Sequence, residues 1–117
     1  MNYDYIVVGA GSAGAVVANR LSADPRHKVL LLEAGPADHP WTRIPVGYSR
    51  LITNPAVNWL YSSEPEASTN GRRIPVPRGK LLGGSSAING LAFVRGQAPG
   101  FDTWAQMGNQ GWAYEDV

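Results

Sequence analysis

The chain begins with a change of hydrophobic period. Tyr5-Ile6-Val7-Val8 is an unbroken apolar run, β-branched at three positions and stopped by Gly9, and it predicts a buried strand. From Ser12 onward, Gly14, Val17, Ala18 and Leu21 recur at helical spacing, with Ser12 placed as an N-cap. Asp24-Pro25-Arg26 ends that helix with a turn. Lys28 to Glu33 predicts a second buried strand, closed by Ala34-Gly35-Pro36. Strand, helix and strand within about 30 residues make a βαβ unit, whose parallel strands need a right-handed crossover. The expected fold class is α/β, with a Rossmann-like unit over residues 1–36.

Beyond Pro36 the pattern loses its period. Residues 37–77 carry Pro40, Pro45, Pro55, Pro65, Pro75 and Pro77, which argues against long helices. Trp59-Leu60-Tyr61 and Ile74-Pro75-Val76 read as two edge strands joined through the turn-forming Thr69-Asn70-Gly71. Residues 78–117 form a third part, rich in glycine and small residues as far as Gly96, with a short helix expected over Asp102 to Met107.

Composition narrows the function classes. The 117 residues suffice for one small core, and 44% apolar with 16% charged residues is ordinary for a globular chain. Ten Lys and Arg against nine Asp and Glu give a net charge of +1, too little for a global nucleic-acid field. No run approaches the roughly 20 apolar residues of a membrane helix. Met1-Asn2-Tyr3-Asp4 leads straight into the first strand without a targeting pattern. There is no cysteine, which excludes thiolate chemistry and Cys-based metal sites in this chain and fits a cytoplasmic setting.

Gly9-Ala10-Gly11-Ser12-Ala13-Gly14 is a GxGxxG at the strand-to-helix turn. Gly9 permits the tight turn, Gly11 lets backbone approach a pyrophosphate, and Gly14 lets the helix pack closely on the strand. The amides near Ser12 and Ala13 lie at the positive end of the helix dipole. Glu33, 19 residues after Gly14, ends the second strand where an acid can accept ribose hydroxyls, with Ala34 beside it. Taken alone, the six residues also describe a plain glycine-requiring turn; strand, stripe and terminal acid in register favour dinucleotide binding. They do not separate NAD from FAD, although an acid at position 33 argues against the 2′-phosphate of NADP.

A second run, Gly79-Lys80-Leu81-Leu82-Gly83-Gly84-Ser85-Ser86-Ala87-Ile88-Asn89, followed by Phe93, Gly96 and Asp102, resembles the first signature of the glucose-methanol-choline (GMC) oxidoreductases. Asn58-Trp59, Ser63-Glu64-Pro65, Pro77-Arg78-Gly79-Lys80, Val94-Arg95-Gly96 and Gly111-Trp112 also look like this family, and its choline-dehydrogenase-like branch in particular. The resemblance spans the whole chain but only about the first fifth of such an enzyme. It implies FAD as cofactor, with Leu82, Gly84, Asn89, Gly90 and Ala92 bordering the isoalloxazine and ribityl chain and Trp59 near the cofactor. A plain tight turn at Gly83-Gly84, and ordinary core packing of Trp59, are the competing readings. The two glycine stretches are expected to close around opposite ends of one FAD. Some relatives attach flavin through a histidine before the asparagine of this run; here that position is Ile88, which implies non-covalent FAD.

The resemblance further implies oxidation of a small alcohol by hydride transfer to flavin N5, with the protein supplying position and a base. His27 and His39 sit in a turn and a loop, read as solvated, so no catalytic residue is expected here. The base and the substrate domain belong to a remainder of the enzyme, and the 117 residues alone are expected to be inactive. Other readings are an FAD-containing lyase on the same scaffold, a non-catalytic dinucleotide-binding fragment and an NAD-dependent dehydrogenase, the last leaving the second run unexplained.

Overall fold

Tyr5–Val8 (β1) lies parallel to Val29–Leu32 (β2) in a computed structural model that describes residues 2–117. Tyr5 stands opposite Val29 and Val8 opposite Leu32. The chain returns through helix Ser12–Leu21 (α1), the crossover that a parallel pair requires. At one end of the pair, Asp4 donates its amide to the Lys28 carbonyl (2.9 Å) and accepts the Lys28 amide on Oδ2 (2.7 Å). At the other, Gly9 N–H reaches Leu32 O at 2.8 Å. Gly14 brings α1 against β1: a β-carbon there would lie 1.9 Å from Gly9 O.

Two details of α1 differ from expectation. The N-cap is Gly11, in extended backbone (φ −75°, ψ −172°) and without a side-chain cap, and Ser12 is already helical. Val17 is exposed, while Gly14, Ala18 and Leu21 are half-buried, because Val17 lies at the margin of that stripe. Past the helix, Asp24 accepts both the backbone amide of Arg26 (3.0 Å) and its guanidinium (2.6 Å), which holds the turn. The Arg26 guanidinium keeps the Asp24 carboxyl down at about 2.

The proline-rich segment is built from single turns. Pro40–Arg43 and Pro45–Gly47 are 3₁₀ turns that each begin on a proline, where a missing N–H costs nothing. Tyr48–Leu51 (α2) follows. Tyr61–Ser62 (β3) pairs antiparallel with Pro75–Val76 (β4). Trp59 and Leu60, expected in the strand, lie outside it because Leu60 takes a left-handed φ of +54°. Asn70 and Gly71 both have positive φ (+55° and +69°), and Arg72 N–H bonds Thr69 O, so the reversal is of type I′.

The buried cluster is Leu51, Val57, Leu81 and Ile88, with Ala87 packed against it. It therefore sits under the irregular segment, not between sheet and helix. The strands expected to be buried are largely open: Ile6 is 60% and Val8 82% exposed. Two strands with one helix leave the remaining sheet surface uncovered. Helix Ala98–Gln106 (α3) starts four residues earlier than expected, since Pro99 suits a first turn. Phe101, Trp104, Trp112 and Tyr114 form a chain of ring contacts beside it. Among the described residues, no helix is long and apolar enough to cross a membrane.

Candidate functional site

β1 ends where Gly9 (φ +93°) turns the chain, and a β-carbon at Gly9 would meet no atom within 4 Å. Bare backbone thus forms the floor of a cleft of about 550 Å³. Glu33, at the end of β2, reaches across to it. Its Oε2 accepts the Ala10 amide at 2.8 Å, and its Oε1 accepts the Gly35 amide at 3.1 Å. One carboxylate therefore ties together the turns that follow both strands. Charge-assisted bonds of this kind are about twice as strong as neutral ones.

The second glycine stretch docks on the first. Gly83 donates its amide to Ala10 O at 2.8 Å and bridges Gly11 in parallel. Gly83 and Gly84 have φ of +92° and +57°, a region that side chains disfavour. Leu82 N–H bonds Pro36 O at 3.0 Å, and a β-carbon at Gly35 would lie 1.7 Å from Lys80 O. The two stretches meet backbone to backbone. Glycine at both allows the approach.

Val8, Leu32, Glu33 and Ala34 form one wall of the cleft. Trp59, Tyr61, Arg78 and Gly79 form another, and Gly84 and Ser85 close the side nearest Gly11. The Trp59 and Tyr61 rings are parallel within 3° at 6.0 Å, and Lys80 Nζ lies 5.1 Å from the Trp59 ring centre. Gly79 N–H bonds the Ser85 hydroxyl at 3.1 Å, and a β-carbon at Gly79 would lie 2.1 Å from Gly84 O.

Of the residues singled out from sequence, Gly9, Gly11, Glu33, Ala34, Trp59 and Gly84 line this cleft. Ser12, Ala13 and Gly14 open α1 beside it; first-turn amides have no intrahelical acceptor. Leu82 is half exposed, and Asn89, Gly90 and Ala92 run on through an exposed stretch, so none of these four lines it. Asn89 Oδ1 instead accepts the Leu91 amide at 2.9 Å, with Leu91 at φ +57°. Sequence reasoning missed Val8, Leu32, Tyr61, Arg78 and Gly79 as lining residues. The signal for two of them was the Pro77-Arg78-Gly79-Lys80 run. The histidines are structural, not merely solvated: His27 Nδ1 lies 3.2 Å from Leu21 O with its ring against Tyr5, and His39 caps a 3₁₀ turn. Neither lines the cleft.

The GMC oxidoreductase family model matches residues 3–117. This chain belongs to the GMC oxidoreductase family. It is 50% identical over 118 aligned positions to an oxygen-dependent choline dehydrogenase of Sinorhizobium fredii, an alignment covering all of this chain and 22% of that protein. Among solved structures, pyridoxine 4-oxidase from Mesorbium loti matches with a TM-score of 0.79 at 37% identity, over 98% of this chain and 23% of that one. A formate oxidase of Aspergillus oryzae, studied for modification of its FAD, matches at 0.77 and 34% identity, over 97% of this chain and 20% of that one. The GMC chain thus spans about a fifth of the length of these relatives.

Proposed function

We propose that this GMC chain is the FAD-binding part of an enzyme that oxidises a small alcohol. The observation that carries the reading is the Gly9–Gly11 floor, open to ligand and flanked by the Glu33 carboxylate. The residues fit the cofactor. The first-turn amides at Ser12, Ala13 and Gly14 direct the positive end of the α1 dipole toward a pyrophosphate. A carboxylate has about four lone-pair sites, so Glu33 keeps acceptor capacity beyond its two amide bonds for a pair of ribose hydroxyls. Ala34 and Trp59 supply apolar wall for a flat ring. Leu82, Asn89, Gly90 and Ala92, which follow the docked Gly83-Gly84 pair, are assigned to the flavin end by likeness to the family.

When bound, FAD supplies the acceptor for hydride leaving the alcohol carbon. This chain's share of the work is to hold and orient it. Ile88 is 3% exposed within the core cluster and carries no nucleophile, which supports non-covalent binding. The proton acceptor and substrate contacts are assigned to the rest of the enzyme, since both histidines here are engaged elsewhere. The choline dehydrogenase relatives support a small alcohol as substrate. Residues 1–36, 37–77 and 78–117 then act as nucleotide unit, wall and flavin-flanking segment.

The test uses the full-length protein carrying this chain. Purified protein is expected to show a visible flavin band that bleaches anaerobically on addition of a small alcohol. A colourless protein whose tryptophan fluorescence ignores added FAD overturns the reading.

A further inference from the structure

We infer that Asn58 is a positioning residue for the cofactor cleft: it touches no ligand but fixes the wall that Trp59 and Arg78 present. This rests on the FAD reading above. Asn58 is the one polar residue in the buried set, 2% exposed among the described residues. Its side chain ties three separated segments. Nδ2 donates to Ile52 O at 2.7 Å, just past α2; Oδ1 accepts the Leu60 amide at 2.9 Å and the Arg78 amide at 3.0 Å.

The consequence for the wall is geometric. An Asn oxygen bound to the amide two residues on makes an Asx-turn, which bends the chain locally. Leu60 accordingly adopts φ +54°, and Trp59 and Tyr61, on either side of it, have parallel rings in the same cleft. The second bond on Oδ1 draws in residues 78–80, where Gly79 bridges Asn58 in antiparallel fashion. Trp59 N–H bonds Arg78 O at 2.9 Å and Lys80 N–H bonds Val57 O at 2.8 Å, so the two stretches are registered on either side of Asn58. Lys80 reaches the Trp59 ring from this register. Asn89 makes the same bond to Leu91, but in an exposed stretch with no other segment bonded to its side chain. Among the described residues, only at position 58 does the motif couple a turn to the cleft wall.

The experiment compares wild type, Asn58→Asp, Asn58→Ala and the core control Leu51→Ala in the full-length protein. FAD affinity is read by fluorescence titration of the deflavinated protein, and ring packing by near-ultraviolet circular dichroism. Asp retains the acceptor for both amides and replaces the donor to Ile52 O only when protonated. Removing the acceptor leaves two part-buried amides without a partner, and Asn58→Ala is expected to weaken FAD binding by about tenfold or more and to change the aromatic dichroism. Asn58→Asp should recover part of the affinity relative to Asn58→Ala, more at acid pH where a protonated carboxyl can donate to Ile52 O, and Leu51→Ala should lower thermal stability without a matching loss. Equal affinity in wild type and Asn58→Ala, or a loss that Leu51→Ala reproduces at equal destabilisation, overturns the inference while leaving FAD binding intact. Insolubility of both Asn58 variants assigns the residue to folding alone and also overturns it. Failure of wild type to bind FAD instead removes the functional reading on which it stands.

Discussion

Gly84 lies so close to Gly11 that a β-carbon on it would fall 2.8 Å from the Gly11 α-carbon. The same residue has φ +57° and is buried. Gly84→Ala therefore meets two obstacles, backbone strain and a clash with backbone that cannot swing aside. The expected loss is about 2–4 kcal/mol of stability, from a strained φ and overpacking together. Denaturant unfolding of the full-length protein measures it; a variant as stable as wild type would show that the two glycine stretches do not dock as described.

Glu33→Gln separates the structural part of this acid from its ligand part. Glutamine keeps one acceptor oxygen but turns an NH₂ toward an amide donor, so either Ala10 or Gly35 loses its partner. An unsatisfied amide of this kind costs about 1–3 kcal/mol. FAD affinity is expected to fall further than stability predicts, because a ribose acceptor is lost as well. Parallel unfolding and flavin titrations decide the matter: a stability loss with unchanged FAD affinity would confine Glu33 to turn clamping.

The Asp24–Arg26 pair predicts a pH signature. Arg26 donates to Asp24 and holds its carboxyl at about 2, against 3.8 ordinarily. The folded chain then binds fewer protons at this site than the unfolded chain does. Its contribution to stability is complete above 3.8 and disappears as pH falls through about 2. Arg26 is 85% exposed, so the pair is salt-sensitive and small. Asp24→Asn should unfold at a lower temperature than wild type near neutral pH, and the two curves should converge under strong acid or in high salt. Parallel curves across the whole pH range would refute the assignment.

Release of the cofactor tests the role of Ile88. Its side chain packs with Leu51, Val57 and Leu81, away from any ligand chemistry. Acid precipitation of the holoprotein is expected to leave all flavin in the supernatant. Yellow colour retained in the pellet would mean that another residue forms a covalent link.

Elements whose cause is local were legible in the residues alone. The apolar run at Tyr5–Val8, the stripe through Gly14, Ala18 and Leu21, and the acid closing β2 specified the βαβ unit and its fingerprint. Pro40, Pro45 and Pro99 were harder to use, because a proline that breaks one helix also starts the next turn; hence α3 begins earlier than its apolar pattern suggests. Leu60 and Leu91 at positive φ had no sequence signal of their own, since the cause is an asparagine two residues before each.

Tertiary structure alone decided where the core lies and which residues share the cleft. Leu51, Val57, Leu81 and Ile88 come together from three stretches with no common period. Gly83 meets Ala10 only because backbone approaches backbone there, and such an approach depends on side chains that are absent, not on any that are present. Glycine announces that room is needed; only the folded chain shows what comes to fill it.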